Sequence, residues 1–247
     1  MITLARLLVL GLLLALWALA AARMPQGLFA SPLETLSAGL RMVQDGQLWR
    51  AVAASLRVYL LGLSAAAVVG IALGALMGGS RLIGRTLDPF VNALAATPRV
   101  AFVPLVIVVM GLGVQAKVFI VFLGAVMPII LNTAAGVRAA DRDLIEMARS
   151  FGRSRAQIFR EVILPGAVPF LLTGMRIGAT IGLINTVVAE LYTAVTGLGG
   201  LLAVYGASFR MAEYFVVVLT LAAIGVVISE GLRLLERRLT RWREDMR

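Results

Sequence analysis

The sequence contains no cysteine and no histidine, and its 23 basic residues include a single lysine, Lys117. Without cysteine the chain forms no disulfide and has no thiolate nucleophile, and without histidine it lacks the commonest general base and metal ligand. The phosphate-binding loop Gly-x4-Gly-Lys-[Ser/Thr] is also missing, because Lys117 follows Ala116. The sequence therefore excludes ATP hydrolysis by that loop, and we expect this chain to bind neither a metal nor a cofactor.

Apolar residues dominate the remaining composition. They make up 60% of the 247 residues, the mean hydropathy is +0.95, and several runs approach the roughly 20 residues that a helix needs to cross a bilayer. A net charge of +10 could indicate nucleic-acid binding, but the arginines flank the apolar runs, as membrane orientation requires. The composition predicts an all-α integral membrane protein whose partner is the lipid bilayer and not nucleic acid.

Six apolar runs are the candidate membrane spans: residues 4–22, 51–79, 88–110, 118–137, 167–189 and 213–235. The basic residues concentrate on alternate connections and at both ends, which predicts cytoplasmic N and C termini. The first run ends in Ala20-Ala21-Ala22, so a retained helix and a cleaved signal peptide both stay open. We divide the chain into an N-terminal helix with an external loop (1–50), a core (51–236) and a basic tail (237–247).

Glycines recur at four-residue spacing in the second and fifth spans. Small residues on one face of a membrane helix let a neighbouring backbone approach closely. We therefore expect the two stripes to pack against each other: Gly70, Gly74 and Gly78 with Gly174, Gly178 and Gly182.

The third span is interrupted by Pro89, Pro98 and Pro104. Irregular backbone at membrane depth is tolerated only beside protein or a water-filled cavity, so this span is the best candidate to line a pathway. Arg99 lies either near mid-depth, where it would meet an anionic solute, or at an inner helix end. Glu190 is either a gating or ion-pairing carboxylate or a group in outer water. The polar candidates for the pathway are Asn92, Thr97, Pro98, Arg99, Asn132, Asn185 and Glu190.

The segment 138–165 is too highly charged to lie in hydrocarbon. Asp143 and Glu146 fit a capping box that begins a helix, and Gly152 is suited to end it. Ser154 and Gln157 repeat the capping pattern, and Pro165 ends the second helix. The pattern predicts two short amphipathic helices that are joined at Gly152.

The same segment carries a family resemblance. Glu146-Met147-Ala148, Gly152 and Ile163-Leu164-Pro165 resemble the EAA loop of ABC-importer permeases, E-A-A-x3-G-x9-I-x-L-P, with Met147 in place of the first alanine. Further matches resemble the nitrate, sulfonate and taurine branch and extend over residues 55–206: Asp88-Pro89, Thr97-Pro98, Phe102-Val103-Pro104-Leu105, Gly111-Leu112-Gly113, Gly174-x-Arg176, Ala189-Glu190 and Gly197-Leu198-Gly199.

The resemblance implies a type I importer fold in a bacterial plasma (inner) membrane. The loop would then be a coupling helix that docks on a separate cytoplasmic ABC ATPase dimer, which binds ATP and Mg²⁺. The contact residues would be Glu146, Met147, Ala148, Gly152, Leu164 and Pro165. A second permease copy, identical or not, and a periplasmic or extracellular solute-binding protein would complete the importer. Its solute would be small and anionic, such as a sulfonate, taurine or nitrate.

The alternative is a membrane scaffold that docks a cytoplasmic partner without transport. The proline-broken third span argues against it, because a scaffold needs no cavity.

Overall fold

The computed structural model describes residues 2–25, 27–193 and 196–239, with side chains from residue 4 to residue 238. Within these ranges every regular element is helical. The α-helices are Ile2–Arg23 (α1), Pro32–Gln44 (α2), Gln47–Gly79 (α3), Arg81–Ala96 (α4), Val103–Met110 (α5), Val114–Arg138 (α6), Arg142–Ser150 (α7), Arg155–Ile158 (α8), Leu164–Thr193 (α9), Leu198–Ala207 (α10) and Met211–Leu239 (α11). A 3₁₀ turn precedes α5, and a π-turn separates α8 from α9. The end of the predicted tail, with Arg241, Arg243 and Arg247, lies outside the described residues.

Five helices are long and apolar enough to cross a membrane, and a bent pair supplies a sixth span if it is counted as one. The pair is α4 with the segment Arg99–Met110, and the two parts meet at 84°. The break follows from Pro98, because a proline disfavours the helical conformation of the residue before it; Thr97 is extended, with ψ 133°. Pro89 lies inside α4, and Pro104 lies in the first turn of α5, where a missing amide hydrogen costs little. The predicted interruption of this span is confirmed at Pro98, whereas Pro89 and Pro104 lie within helices.

The chain forms two compact units, and α3, α9 and α11 contribute residues to both. One comprises residues 1–56 with 190–224, and the other comprises residues 57–189 with 225–247. The division into 1–50, 51–236 and 237–247 stays a prediction.

In the second unit α6 is the central helix. More than half of its apolar window is buried (56%), whereas none of the other four long apolar helices exceeds 28%. The glycine stripe of α3 lies directly against it: a Cβ on Gly70 would meet Ile129, one on Gly74 would meet Thr133, and one on Gly78 would meet Val137, all at 2.5–2.9 Å. The helices therefore approach as closely as only glycine allows.

The glycines of α9 also lie against α6. A Cβ on Gly174 would come within 2.8 Å of Asn132, and one on Gly178 within 2.9 Å of the Ala125 carbonyl oxygen. The prediction that the two stripes pack on each other was therefore wrong. The side chains of α6 lie between the two stripes, and Ile129 contacts both Gly70 and Gly178.

In the first unit, the loop predicted after the first apolar run contains a short helix, α2. Ser31 caps it, and the Glu34 carboxylate accepts a hydrogen bond from the Ser31 amide at 2.7 Å, which completes a capping box. These bonds to the backbone and hydroxyl of Ser31 hold the pKa of Glu34 below its usual value. The Trp17 indole donates to the Ala30 carbonyl oxygen at 2.9 Å, and its ring lies 5.5 Å from that of Phe215.

Replacing Gly74 by alanine is expected to destabilise the protein. The new Cβ would lie 2.6 Å from the Ile130 carbonyl oxygen, and overpacking of this kind costs about 1–3 kcal/mol. Thermal unfolding in detergent should therefore show a lowered Tm. The matched control is Gly231→Ala on α11, where a Cβ would meet nothing within 4 Å and alanine favours the helix. Equal Tm values for the two variants would contradict the close packing of α3 on α6.

Candidate functional site

The charged segment 138–165 begins where α6 ends, and its first helix is α7. The cap of α7 is Asp141, whose carboxylate accepts from the amide of Asp143 at 2.9 Å and more weakly from that of Leu144 at 3.5 Å. The predicted cap, Asp143, is therefore wrong by two residues. Asp141 is extended (ψ 122°), as a capping residue must be, whereas Asp143 already lies in the first helical turn.

The end of α7 is confirmed at Gly152. Its φ of +74° is in the left-handed region that favours glycine. The amide of Gly152 donates to the Arg149 carbonyl oxygen at 2.9 Å, and that of Arg153 donates to the Ala148 carbonyl oxygen at 3.1 Å. This pair of bonds is the Schellman motif, which satisfies the last carbonyls of a helix and fixes the direction in which the chain leaves it.

The second half of the segment differs from the prediction in one respect. The capping box of Ser154 and Gln157 is present, with the Ser154 amide donating to the Gln157 side chain at 2.9 Å. Pro165, however, does not end the helix that follows. A π-turn at Phe159–Ile163 carries α8 into α9, so Arg155–Thr193 is one helix of 39 residues. Pro165 falls in the first turn of α9, and the wider π-turn before it relieves the clash between its ring and the preceding carbonyls.

One face of α7 is apolar and exposed. Leu144, Met147 and Phe151 follow one another at helical spacing and are 47%, 53% and 79% exposed. Glu146 beside them is exposed as well, and Ala148 is half-buried. None of the described residues of the chain covers this stripe, which we call the α7 face.

The arrangement around Arg99 places two predicted pathway residues together. The Arg99 guanidinium donates to the carbonyl oxygens of Gly124 and Ala95, each at 3.1 Å. Asn185 on α9 is 5% exposed and lies so close to Gly124 that any Cβ at position 124 would collide with its amide nitrogen. The sequence singled out Arg99 and Asn185 but missed Gly124, because Gly124 belongs to no glycine stripe.

Two nitrogen donors in this arrangement have no acceptor. Among the described residues, neither Nε of Arg99 nor Nδ2 of Asn185 makes a hydrogen bond, although both atoms are buried. Arg99 also has no carboxylate partner there, in contrast to Arg176, which forms an ion pair with Glu236. A buried donor without an acceptor costs about 1–3 kcal/mol. Among the described residues, the site therefore has two buried donors without acceptors and an arginine without a carboxylate partner.

The other polar candidates are satisfied by their own helices. The Asn92 amide donates to the Asp88 carbonyl oxygen, the Thr97 hydroxyl to that of Ala93, and the Asn132 amide to that of Pro128, each at 2.8 Å. Pro98 is exposed at the break between α4 and α5. As pathway residues, all four stay predictions.

In the first unit Glu190 is 1% exposed, so the interpretation that it lies in outer water was wrong. Its carboxylate accepts from the Ser55 hydroxyl at 2.8 Å and from the Gly199 amide at 2.9 Å. Ser55 in turn accepts from the Leu198 amide at 2.8 Å. Gly199 lies in the first turn of α10, and the Glu190 carboxylate is therefore close to the positive end of that helix.

Gly197 makes room for this carboxylate, since its φ is +91° and a Cβ there would fall on the Glu190 side chain. We expect Gly197→Ala to lower the Tm in detergent by more than Gly27→Ala does. Gly27 is the matched control, with a φ of +89° and nothing within 4 Å of its Cβ position. Both variants bear the backbone strain, and only Gly197→Ala displaces a buried carboxylate. If both substitutions lower the Tm by the same amount, the contact with the carboxylate makes no measurable contribution to stability.

Comparison with known proteins identifies a family and relatives with a similar sequence. The family described as "Binding-protein-dependent transport system inner membrane component" matches residues 66–241. The chain is 36% identical to the taurine transport system permease protein TauC of Escherichia coli K12 over 93% of its own length and 86% of TauC. It is also 36% identical to the putative aliphatic sulfonates transport permease protein SsuC of the same organism, over 86% of its own length and 81% of SsuC.

A structure of the methionine ABC transporter MetNI in an inward-facing conformation superposes with a TM-score of 0.69. The match covers 78% of this chain and 96% of that one at 23% identity, and it shows a shared fold. The chain therefore belongs to the family of binding-protein-dependent transport inner-membrane components, as a multi-pass permease subunit of the ABC-importer type.

Proposed function

We propose that this permease imports a small anionic solute of the sulfonate, taurine or nitrate class, driven by a cytoplasmic ABC ATPase that docks on the α7 face. A binding protein delivers the solute at the outer surface, and a second permease copy completes the pathway. ATP and Mg²⁺ bind to the ATPase subunits. The names of the relatives, which refer to taurine and aliphatic sulfonates, support the class of solute.

The observation that carries the docking proposal is the exposure of Leu144, Met147 and Phe151 within a charged segment. The surrounding charges keep this segment out of the hydrocarbon core. A basic amphipathic segment can lie on the headgroups, but two capped helices with a fixed turn at Gly152 favour a protein partner. Full burial of one such side chain contributes about 1.5–3 kcal/mol. A protein partner with an apolar groove would recover this free energy, and the acidic and basic residues around the stripe would orient it.

The connection from α7 to the membrane supports transmission of movement. The Schellman motif at Gly152 fixes the exit from α7, and Ser154 caps the next helix, which runs without a break into α9. Arg153 and Glu161 add an ion pair at 3.5 Å across this connection. A displacement of the α7 face is therefore carried to α9, which holds Asn185 against Gly124. ATP binding on the partner would bias two arrangements of these packed helices.

The donors around Gly124 support an anionic solute. Arg99 contributes a guanidinium donor and Asn185 a neutral amide donor, and both carry a buried N–H without an acceptor among the described residues. An oxyanion has enough acceptor oxygens to bond both of these donors. Hydrogen bonds to a charged partner are also stronger than those between two neutral groups. The donors lie beside the break between α4 and α5. Irregular backbone of this kind is tolerated at membrane depth where it lines a water-filled cavity or packs on protein.

Replacing Gly152 by valine is expected to uncouple transport from ATP hydrolysis. Valine is disfavoured at a φ of +74°, so the Schellman turn is lost and the α7 face changes its orientation. In proteoliposomes with the ATPase and the binding protein, solute uptake per ATP hydrolysed should fall about tenfold or more, as for a loss of 1.4 kcal/mol in coupling.

Two variants control for strain. Gly46→Val places the same residue at a similar φ of +68°, with nothing within 4 Å of its Cβ position and outside the charged segment 138–165, and should keep its coupling. Gly152→Asn should retain most of the activity, because asparagine tolerates the left-handed region. Normal uptake per ATP by Gly152→Val would count against docking at this surface.

Replacing Arg99 by leucine tests the solute contact. We expect kcat/KM for uptake to fall roughly tenfold to hundredfold, since a hydrogen bond to a charged group contributes about 1.5–3 kcal/mol. Asn185→Leu should show a smaller loss in the same direction. The control is Thr86→Val on α4, a residue outside the predicted pathway whose hydroxyl is already bonded to the Leu82 carbonyl oxygen of its own helix. Unchanged uptake by Arg99→Leu, with normal assembly, would show that Arg99 only joins α4 to α6 and does not contact the solute.

A further inference from the structure

A cavity of about 670 Å³ opens in the second unit at the ends of α3 and α6, beside the start of α4 and the segment that follows α6. Four arginines line it, together with one carboxylate: Arg81, Arg85, Arg138 and Arg142, with Asp88. Ile163 of the π-turn lies in its wall as well. The cavity belongs neither to the α7 face nor to the site around Gly124.

The carboxylate neutralises only one of the four arginines. Nη2 of Arg138 donates to both oxygens of Asp88, at 3.0 and 3.1 Å. Arg81, Arg85 and Arg142 have no carboxylate partner among the residues that the structure describes. Four positive charges against one negative charge leave the lining with a net charge of +3.

The start of α4 adds to the positive potential. The helix begins at Arg81 after the cap Ser80, and the backbone amides of a first turn carry partial positive charge toward the helix end. Arginines, a helix N-terminus and an open cavity together form an arrangement that suits a phosphate group. Arginines that served only to orient the chain in the membrane would not have to line one cavity.

We propose that this cavity binds the phosphate of an anionic phospholipid from the inner leaflet. Basic pockets between membrane helices on the cytoplasmic side suit such headgroups. The apolar side chains of Leu82 and Phe90 on α4 are 78% and 64% exposed and offer a surface for acyl chains next to the basic residues. A free phosphate ion shares the headgroup chemistry but has no use for that surface.

The position of the cavity gives the lipid a regulatory effect. Its walls come from α4 and from the two ends of the charged segment, with Arg142 at the start of α7 and Ile163 in the π-turn before α9. A phosphate held between them would tie α4 to that segment and favour the arrangement in which both are engaged. Binding itself does not depend on the proposed ATPase contact, so the two can fail separately.

The test uses the full-length permease in detergent, titrated with phosphatidylglycerol, phosphatidylcholine or inorganic phosphate, with the Tm and native mass spectra as readouts. We expect phosphatidylglycerol alone to raise the Tm and to stay bound. The double variant R81Q/R85Q should weaken the apparent affinity about tenfold or more. The control R237Q/R238Q removes two exposed arginines near the end of α11, outside the cavity, and should bind as the unaltered chain does.

Three outcomes would overturn the proposal. Equal losses in both double variants would assign the effect to total charge rather than to the cavity. Stabilisation by inorganic phosphate at the same concentration, lost in R81Q/R85Q, would assign the cavity to a free anion. No preference for phosphatidylglycerol over phosphatidylcholine, in a permease that still couples ATP hydrolysis to uptake, would exclude the lipid site and leave the proposed function standing.

Discussion

The close contact of α6 with the glycines of α3 and α9 is the constraint on which the second unit depends. Within lipid the hydrophobic effect does not drive apolar helices together, so they associate where their backbones come near enough for dense packing. Ile129 lies against Gly70 on one helix and Gly178 on another, and therefore serves both contacts. A substitution at these glycines of α3 or α9 therefore disturbs the packing against α6 directly. The same helix supplies the Gly124 carbonyl oxygen that accepts a hydrogen bond from Arg99.

The same helix connects the sites. Its last turn holds Arg138, which pairs with Asp88 of α4 in the basic cavity, and the chain passes from there to the cap of α7. The α7 face, the donors around Gly124 and the basic cavity are thus positioned by elements that all contact α6 or continue from it. A type I importer needs such a shared element, because work done at a peripheral surface has to reach a pathway inside the membrane.

Local patterns predicted what depends on neighbours in the chain. The apolar runs located the spans, Gly152 marked the end of α7, and Ser154 with Gln157 formed the expected cap. Errors arose where two local signals competed. Asp141 and Asp143 both suit a cap, and only the backbone of the folded chain distinguishes them. Pro165 predicts the end of a helix, but in the structure a π-turn precedes it and the helix continues. No residue pattern in the sequence predicts that turn.

By itself the sequence determined that the chain is a multi-pass helical protein without the phosphate-binding loop, with a highly charged segment between its apolar runs and with glycine-lined helices. These follow from composition and from spacing within single helices. Tertiary structure alone decided which helix the glycines face, that Glu190 is buried against Ser55, and that Arg99 and Asn185 meet at Gly124. Such contacts join residues far apart in the chain, and their geometry depends on how every helix packs at once.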